Sequence, residues 1–135
     1  KEGAVVAKIV KEGAVVAGPE GARHPRTAIG VSRNGTVMWL VVVDGRQKQY
    51  SEGMDLYELG RLMIGLGCWN ATNMDGGGSS IMGLVGGDGR LRVVNSPSDR
   101  RFGVSRIRPL PMIFTIREKS DSKRSPVTDT DSTER

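Results

Sequence analysis

Residues 26–44 read Arg26-Thr27-Ala28-Ile29-Gly30-Val31-Ser32-Arg33-Asn34-Gly35-Thr36-Val37-Met38-Trp39-Leu40-Val41-Val42-Val43-Asp44. Two apolar, β-branched runs flank an Asn-Gly pair. Asn-Gly in that setting is a strong short-range hairpin signal, because both residues tolerate positive φ. Strands are therefore expected over residues 27–32 and 36–44. The run Leu40-Val41-Val42-Val43 lacks polar alternation and reads as covered on both faces.

Moving toward the C-terminus, Leu56, Leu59, Leu62, Met63 and Leu66 fall on one face at helical spacing. Asp55 stands as N-cap with Glu58 three positions on, the capping-box spacing. Gly67 is placed to stop the helix in a left-handed conformation, and Gly60 inside it marks close packing against a sheet. Further strands are expected over 69–74, 80–85, 90–94 and 112–116, with glycine turns at 76–78 and 86–89. One principal helix among strands joined by short turns gives an α+β fold: a mostly antiparallel sheet with that helix packed on it.

Toward the N-terminus, KEGAVVA at residues 1–7 recurs verbatim at 11–17. Two copies are too few and too short for a solenoid. Each copy reads as a short strand, over 4–7 and 14–17, and a local duplication without function is an equal reading. The chain thus divides into a repeat segment and loop (1–21), a domain (22–117) and a tail (118–135). The tail is Ser, Thr, Asp, Lys and Pro with almost no apolar content, the composition of a disordered segment.

The whole chain has 135 residues, 37% hydrophobic and 26% charged, with a formal net charge of +5. Cys68 is the single cysteine, which excludes an intrachain disulfide and a Cys-based zinc cluster. Beside Trp69 and with no His near it in sequence, it reads as a packing residue. The longest apolar run, at 38–43, is far below the roughly 18 residues of a membrane span. No secretory leader is visible. The charge is uneven: residues 22–117 hold 13 Lys or Arg against seven Asp or Glu, and 12 of the 13 are Arg. Arg forks onto phosphate or carboxylate through two hydrogen bonds. An anionic partner and a merely solvated basic surface are equal readings of that excess.

Asp75-Gly76-Gly77-Gly78-Ser79-Ser80 is the most informative stretch for chemistry. Three glycines allow a sharp turn whose successive N–H groups can cradle an anion. Asp75 stands at the end of an expected strand, rigidly held beside a cleft. The stretch lacks the Lys of a P-loop and the spacing of a dinucleotide motif. A plain hairpin turn, with Asp75 satisfied by local N–H groups, is the competing reading. His24-Pro25-Arg26-Thr27 offers a phosphate clamp in Arg26 and a proton donor in His24, against a lone surface histidine. Asp44-Gly45-Arg46 offers a second carboxylate and a guanidinium, against a turn salt bridge. Asn95-Ser96-Pro97-Ser98-Asp99 offers a further carboxylate and hydroxyl, against an Asx or Ser turn.

Five stretches taken together resemble the phosphodiester glycosidase domain: HPRTAIGV at 24–31, VVVDGRQ at 41–47, the helix within 53–67, NMDGGGSS at 73–80 and VNSPSD at 94–99. They stand in that domain's order and spacing. The resemblance covers about residues 22–116. It lacks the upstream Asn-Gly-Gly-Phe-Phe type motif, so the domain reads as truncated at its N-terminus. After Asp99 the run Arg100-Arg101-Phe102-Gly103 replaces the family's acidic or amide-rich stretch.

The resemblance implies hydrolysis of a sugar from a sugar-1-phosphodiester at the bond between anomeric carbon and phosphate oxygen. It implies Asp75 as the first catalytic carboxylate, with Asp44 and Asp99 as candidates for the second. Substrate contacts are expected from Arg26, Thr27, Arg46, Gly76, Gly77, Gly78, Ser79, Ser80, Asn95 and Ser98, with His24 as proton donor. No cofactor and no metal are expected; a divalent cation is left open, with nothing in the sequence to support one. The partner is a small or polymeric sugar-phosphate rather than a membrane. The family resemblance implies export or the cell envelope. Two other functions compete: a non-catalytic carbohydrate- or phosphate-binding fragment, and a basic nucleic-acid-binding module. The latter is disfavoured by only two Trp, two Tyr and two Phe for base stacking.

Overall fold

The computed structural model describes residues 6–18, 21–101, 104–110 and 113–118. Strands β1 (Ala7–Lys11), β2 (Ala14–Val15), β3 (Arg26–Val31), β4 (Met38–Val43) and β5 (Asn70–Asn73) form one sheet in the order β2-β1-β5-β3-β4. Every neighbouring pair is antiparallel. Helix α1 (Leu56–Gly65) packs across β1, β2 and β5. The fold is α+β with one principal helix, as expected.

Local chemistry explains these elements. The helix opens with a complete capping box. The Glu58 N–H donates to Asp55 Oδ1 at 2.8 Å, and the Asp55 N–H donates to Glu58 Oε2 at 3.1 Å. Gly67, just beyond the last turn, takes φ +94°, the left-handed stop that glycine adopts at little cost. Leu59 and Met63 are fully buried against Ile9, Val10, Ala28, Cys68 and Ala71. Each such Leu or Met contributes roughly 1.5–3 kcal/mol by leaving water. Gly60 is the point of closest approach: a Cβ there would meet Val15 Cγ1 at 2.8 Å. Leu66 is the weak member of the expected stripe and remains exposed.

The β3–β4 hairpin forms in the register Ala28↔Val41 and Gly30↔Trp39. Its loop is not the two-residue turn that Asn-Gly implies. Gly35 alone takes positive φ, at +71°. Its N–H donates to Ser32 O at 3.0 Å. Asn34 Oδ1 instead accepts from Ser32 Oγ at 2.8 Å and from the Thr36 N–H at 3.2 Å. A short polar side chain thus closes the loop in place of backbone strain.

Three further expectations need correction. β4 is an edge strand with one face open among the described residues: Met38 is 50% and Leu40 38% exposed. The strands expected over 80–85 and 90–94 form as a hairpin about the 86–89 turn, β6 (Gly83–Val85) and β7 (Leu91–Val93), which among the described residues pairs with no other strand. The same holds for β8 (Arg100–Arg101) and β9 (Val104–Ser105). Residues 113–116, expected as a final strand, have no regular secondary structure, and Met112 lies outside the described residues. The boundary placed after residue 21 does not separate two units, because β1 pairs with β5 inside the main sheet. The first repeat copy lies mostly outside the described residues, as does the tail beyond residue 118.

Candidate functional site

β3 and β5 set the position of the glycine turn. Their register, Ala28↔Asn73, runs on past the strand end. The Met74 N–H donates to Thr27 O at 2.7 Å, and the Gly77 N–H to Pro25 O at 2.9 Å. Asp75 therefore lies opposite Arg26, half-buried. The two side chains form no ion pair. Arg26 donates from Nε to Met54 O at 2.9 Å and from Nη2 to Ala22 O at 3.0 Å. It shares strand alternation with buried Ala28, so it belongs to the face that α1 covers. Thr27 faces the other way, and its Oγ1 lies 3.3 Å from Ser80 Oγ. The guanidinium expected to clamp phosphate is thus tied to the loops beside the helix start.

The turn after Asp75 is a 3-10 helix, Gly77–Ser79. It closes by its own backbone bonds: the Ser79 N–H donates to Gly76 O at 3.2 Å and the Ser80 N–H to Gly77 O at 3.1 Å. With the Gly77 N–H on Pro25 O, three amides of the expected anion cradle are spent internally. Side chains bracket the turn instead. A Cβ at Gly77 would stand 3.1 Å from Arg46 Nη1, and one at Gly78 would overlap the carboxylate of Asp99. Gly77 takes φ +63°, which favours glycine, and Gly78 lets the Asp99 carboxylate lie directly on the backbone. Arg108 adds a third bracket. Its Nη2 donates to Ser79 Oγ at 2.7 Å, and its Nε lies 3.5 Å from Asp99 Oδ2.

Arg46 reaches the turn from a backbone in the left-handed region, φ +56°, a conformation that costs a non-glycine residue roughly 1–2 kcal/mol. Its Nε donates to His24 Nδ1 at 3.3 Å. Because Arg can only donate, the neutral His24 ring carries its proton on Nε2.

Asp44 is engaged rather than free. It accepts from Asn95 Nδ2 at 2.8 Å, from the Ser96 N–H at 3.0 Å and from Tyr50 Oη at 3.2 Å. The hydrogen bond to Asp44 also holds the Tyr50 hydroxyl above its usual pKa. Asn95 donates again to Ser80 O at 3.0 Å and accepts from the Met82 N–H at 2.8 Å. Buried Gln47 completes the frame. Its Nε2 donates to Ser96 O at 2.7 Å, and its Oε1 accepts from Ser96 Oγ at 2.8 Å and Arg100 Nη2 at 2.7 Å. These bonds set the 95–99 loop so that Asp99 lies against Gly78. Ser98 is half-buried in that loop.

The structure thus gathers Asp75, Gly77, Gly78, Ser79, Ser80, Arg46, His24, Asp99 and Thr27 around the turn, with Asp44 and Asn95 supporting it. Gln47, Arg100 and Arg108 were not among the expected site residues. Gln47 stood within the VVVDGRQ run; nothing in the sequence pointed to Arg108. Among the described residues no group of three or more His, Cys, Asp or Glu is placed to hold a metal ion. No helix of the described residues is long and apolar enough to cross a membrane. A cleft of about 360 Å³ lies elsewhere, between Arg23, Gly53, Met54, Glu58 and Arg61. The Arg23–Glu58 and Arg23–Glu52 ion pairs at its rim hold the Arg23 pKa above its usual value.

The antiparallel sheet, its single helix and a glycine turn bracketed by carboxylates and guanidiniums define an α+β domain with a charged polar site at the strand ends. The chain belongs to the phosphodiester glycosidase family, which matches residues 2–117. A prophage-derived uncharacterized protein of Bacillus subtilis, YomE, is 39% identical over 77 residues, 57% of this chain and 11% of that protein. The solved catalytic domain of zebrafish N-acetylglucosamine-1-phosphodiester alpha-N-acetylglucosaminidase, auto-inhibited by its pro-peptide, is 24% identical with a TM-score of 0.57. The match covers 75% of this chain and 38% of that one; this likeness is one of fold. A solved protein of Burkholderia pseudomallei is 47% identical over 57% of this chain and 14% of its own, with a TM-score of 0.49.

Proposed function

We propose that this domain hydrolyses a sugar-1-phosphodiester, breaking the bond between the anomeric carbon and the phosphate oxygen. The electron pair of that bond leaves with the phosphate, and water adds to the carbon and gives up a proton. Family membership supports the reaction class. The observation that carries the reading is the bracketed turn: half-buried Asp75 precedes a Gly77–Ser79 helix pressed between Arg46 and Asp99.

The parts suit the reaction. The ring becomes oxocarbenium-like, and Asp75 is the carboxylate that stabilises it or activates water. Asp99 is the second carboxylate, since Asp44 is held by Asn95, Ser96 and Tyr50. Arg46 neutralises charge gathering on the leaving phosphate. Phosphate is a good leaving group, so strong acid help from His24 is not required. Thr27, Ser79 and Ser80 supply hydroxyls for sugar or phosphate. A binding-only role is the second reading, favoured by the small share of its relatives that the chain spans. Turnover of a panel of UDP-sugars and sugar-1-phosphodiesters separates the two. Release of free sugar that Asp75→Asn abolishes supports hydrolysis; binding without release supports the second reading.

A further inference from the structure

We propose that Arg108 is a specificity-determining residue that selects phosphate-bearing sugars by exchanging its contact with Asp99 for the ligand's phosphate. The inference rests on reading the Gly77–Ser79 turn as a sugar-phosphate site. It adds the group that makes the site prefer an anion and the motion that couples ligand to carboxylate.

An anion needs donors, and most of those near the turn are committed. The Gly77, Ser79 and Ser80 amides bond to backbone carbonyls. Arg26 bonds to Met54 O and Ala22 O. Arg46 spends its Nε on His24 and keeps Nη1, beside Gly77, for the phosphate. Arg108 is held differently. Its contact with Asp99 is long, at 3.5 Å, and the side chains are 46% and 35% exposed, so water competes for both. Its firmer bond, at 2.7 Å, is to a neutral hydroxyl, Ser79 Oγ. A guanidinium has five donors in a fixed fork that fits two phosphate oxygens at once. The exchange of a weak exposed ion pair for a bidentate phosphate contact is therefore downhill.

The surroundings hold Arg108 in reach. The Arg106 N–H donates to Asp99 O at 2.7 Å, pinning the segment that carries Arg108 to the loop that carries Asp99. Pro109 follows directly and stiffens the chain. When phosphate takes the guanidinium, Asp99 is released to accept from a sugar hydroxyl or water. A neutral sugar offers nothing to draw Arg108 away and meets a carboxylate still covered.

The experiment is calorimetric titration of the full chain with N-acetylglucosamine 1-phosphate and, separately, with the neutral methyl α-N-acetylglucosaminide. Wild type is compared with Arg108→Ala, Arg108→Lys and Arg108→Gln; Gln keeps a donor for Ser79 should Ala fail to fold. Arg108→Ala and Arg108→Gln are expected to raise Kd for the 1-phosphate at least about 10-fold and to leave the neutral glycoside within about twofold, while Lys recovers part of the loss. Unchanged 1-phosphate binding overturns the proposal, as does an equal loss for both ligands, which marks a structural role. So does a wild type that binds neither sugar. Arg108-dependent binding in a wild type that hydrolyses no phosphodiester leaves this inference standing and removes only the catalytic reading.

Discussion

The Asn95 amide donates to the Asp44 carboxylate at 2.8 Å across 51 positions of sequence. That bond joins the end of β4 to the loop that delivers Asp99. The same side chain bonds Ser80 O and the Met82 N–H, so one amide sets the glycine stretch, the base of the β6–β7 hairpin and the 95–99 loop. Asn95→Ala strips a donor from Asp44 and Ser80 O and an acceptor from Met82. Unmet polar groups in a part-buried setting cost about 1–3 kcal/mol. Urea unfolding is expected to show a loss of that size; an unchanged midpoint would mean that the loops hold without Asn95.

Gly78→Ala tests whether Asp99 must lie on the turn backbone. The new methyl would occupy the place of the Asp99 carboxylate, which can rotate away, so the fold is expected to survive. Displacement of a positioned group by about 1 Å costs on the order of 100-fold in rate. The prediction is folded protein with kcat/KM down at least about 10-fold. Gly87→Ala, where a Cβ meets nothing within 4 Å, is the control and leaves both unchanged.

Asp75→Asn is nearly isosteric and removes the charge that an oxocarbenium-like ring requires. Among the described residues Asp75 accepts no hydrogen bond, so stability is expected to stay within about 0.5 kcal/mol. Sugar release is expected to disappear. Wild type and variant turning over at one rate would take Asp75 out of the reaction.

The fold was legible where short-range rules govern. The Asp55–Glu58 box, the Leu59 and Met63 face and the β3–β4 pairing all follow from residues close in sequence. Two features were not legible because they depend on what lies across the molecule. Leu40 to Val43 reads as a doubly covered strand, yet whether a face is covered depends on what the rest of the chain packs there. Residues 113–116 have strand-like composition and no strand partner among the described residues. At the site, NMDGGGSS marked the turn correctly. What the turn's amides bond to is a long-range fact: three of them donate to carbonyls, Arg26 donates to Met54 O and Ala22 O, and Arg46, Asp99 and Arg108 bracket the turn. Ser79 and Arg108 are 29 positions apart, with no periodicity to connect them.

Cys68 provides a pH test of the core. Burial pushes its thiol pKa above the ordinary value of about 9. The folded chain therefore keeps the proton at a pH where the unfolded chain releases it. A group whose pKa is raised on folding contributes fully below its unfolded value and loses that contribution as pH rises toward the folded value. Relative to Cys68→Ala, wild-type stability is expected to be constant up to about pH 8 and to fall above about pH 9. Parallel unfolding curves for the two chains across that range would contradict a protonated, buried thiol.

Arg26 and Arg46 make opposite predictions, and the pair separates framework from site. Arg26 satisfies Met54 O and Ala22 O, so Arg26→Ala leaves the part-buried Met54 carbonyl unmet, while the exposed Ala22 carbonyl turns to water, and is expected to cost about 1–3 kcal/mol of stability. Its effect on KM is expected to be small at temperatures where the variant is folded. Arg46 is exposed, lies against Gly77 and sits at φ +56°. Arg46→Ala removes no bond to a buried carbonyl and is expected to change stability by less than about 0.5 kcal/mol. It is expected to weaken phosphate-bearing ligands at least about 10-fold, with a shallower dependence on salt, because a charge contact at the rim is lost. Melting temperatures and titrations on the two variants decide the matter. Arg26→Ala at full stability with failed binding would return Arg26 to the site and demote the bracketed turn.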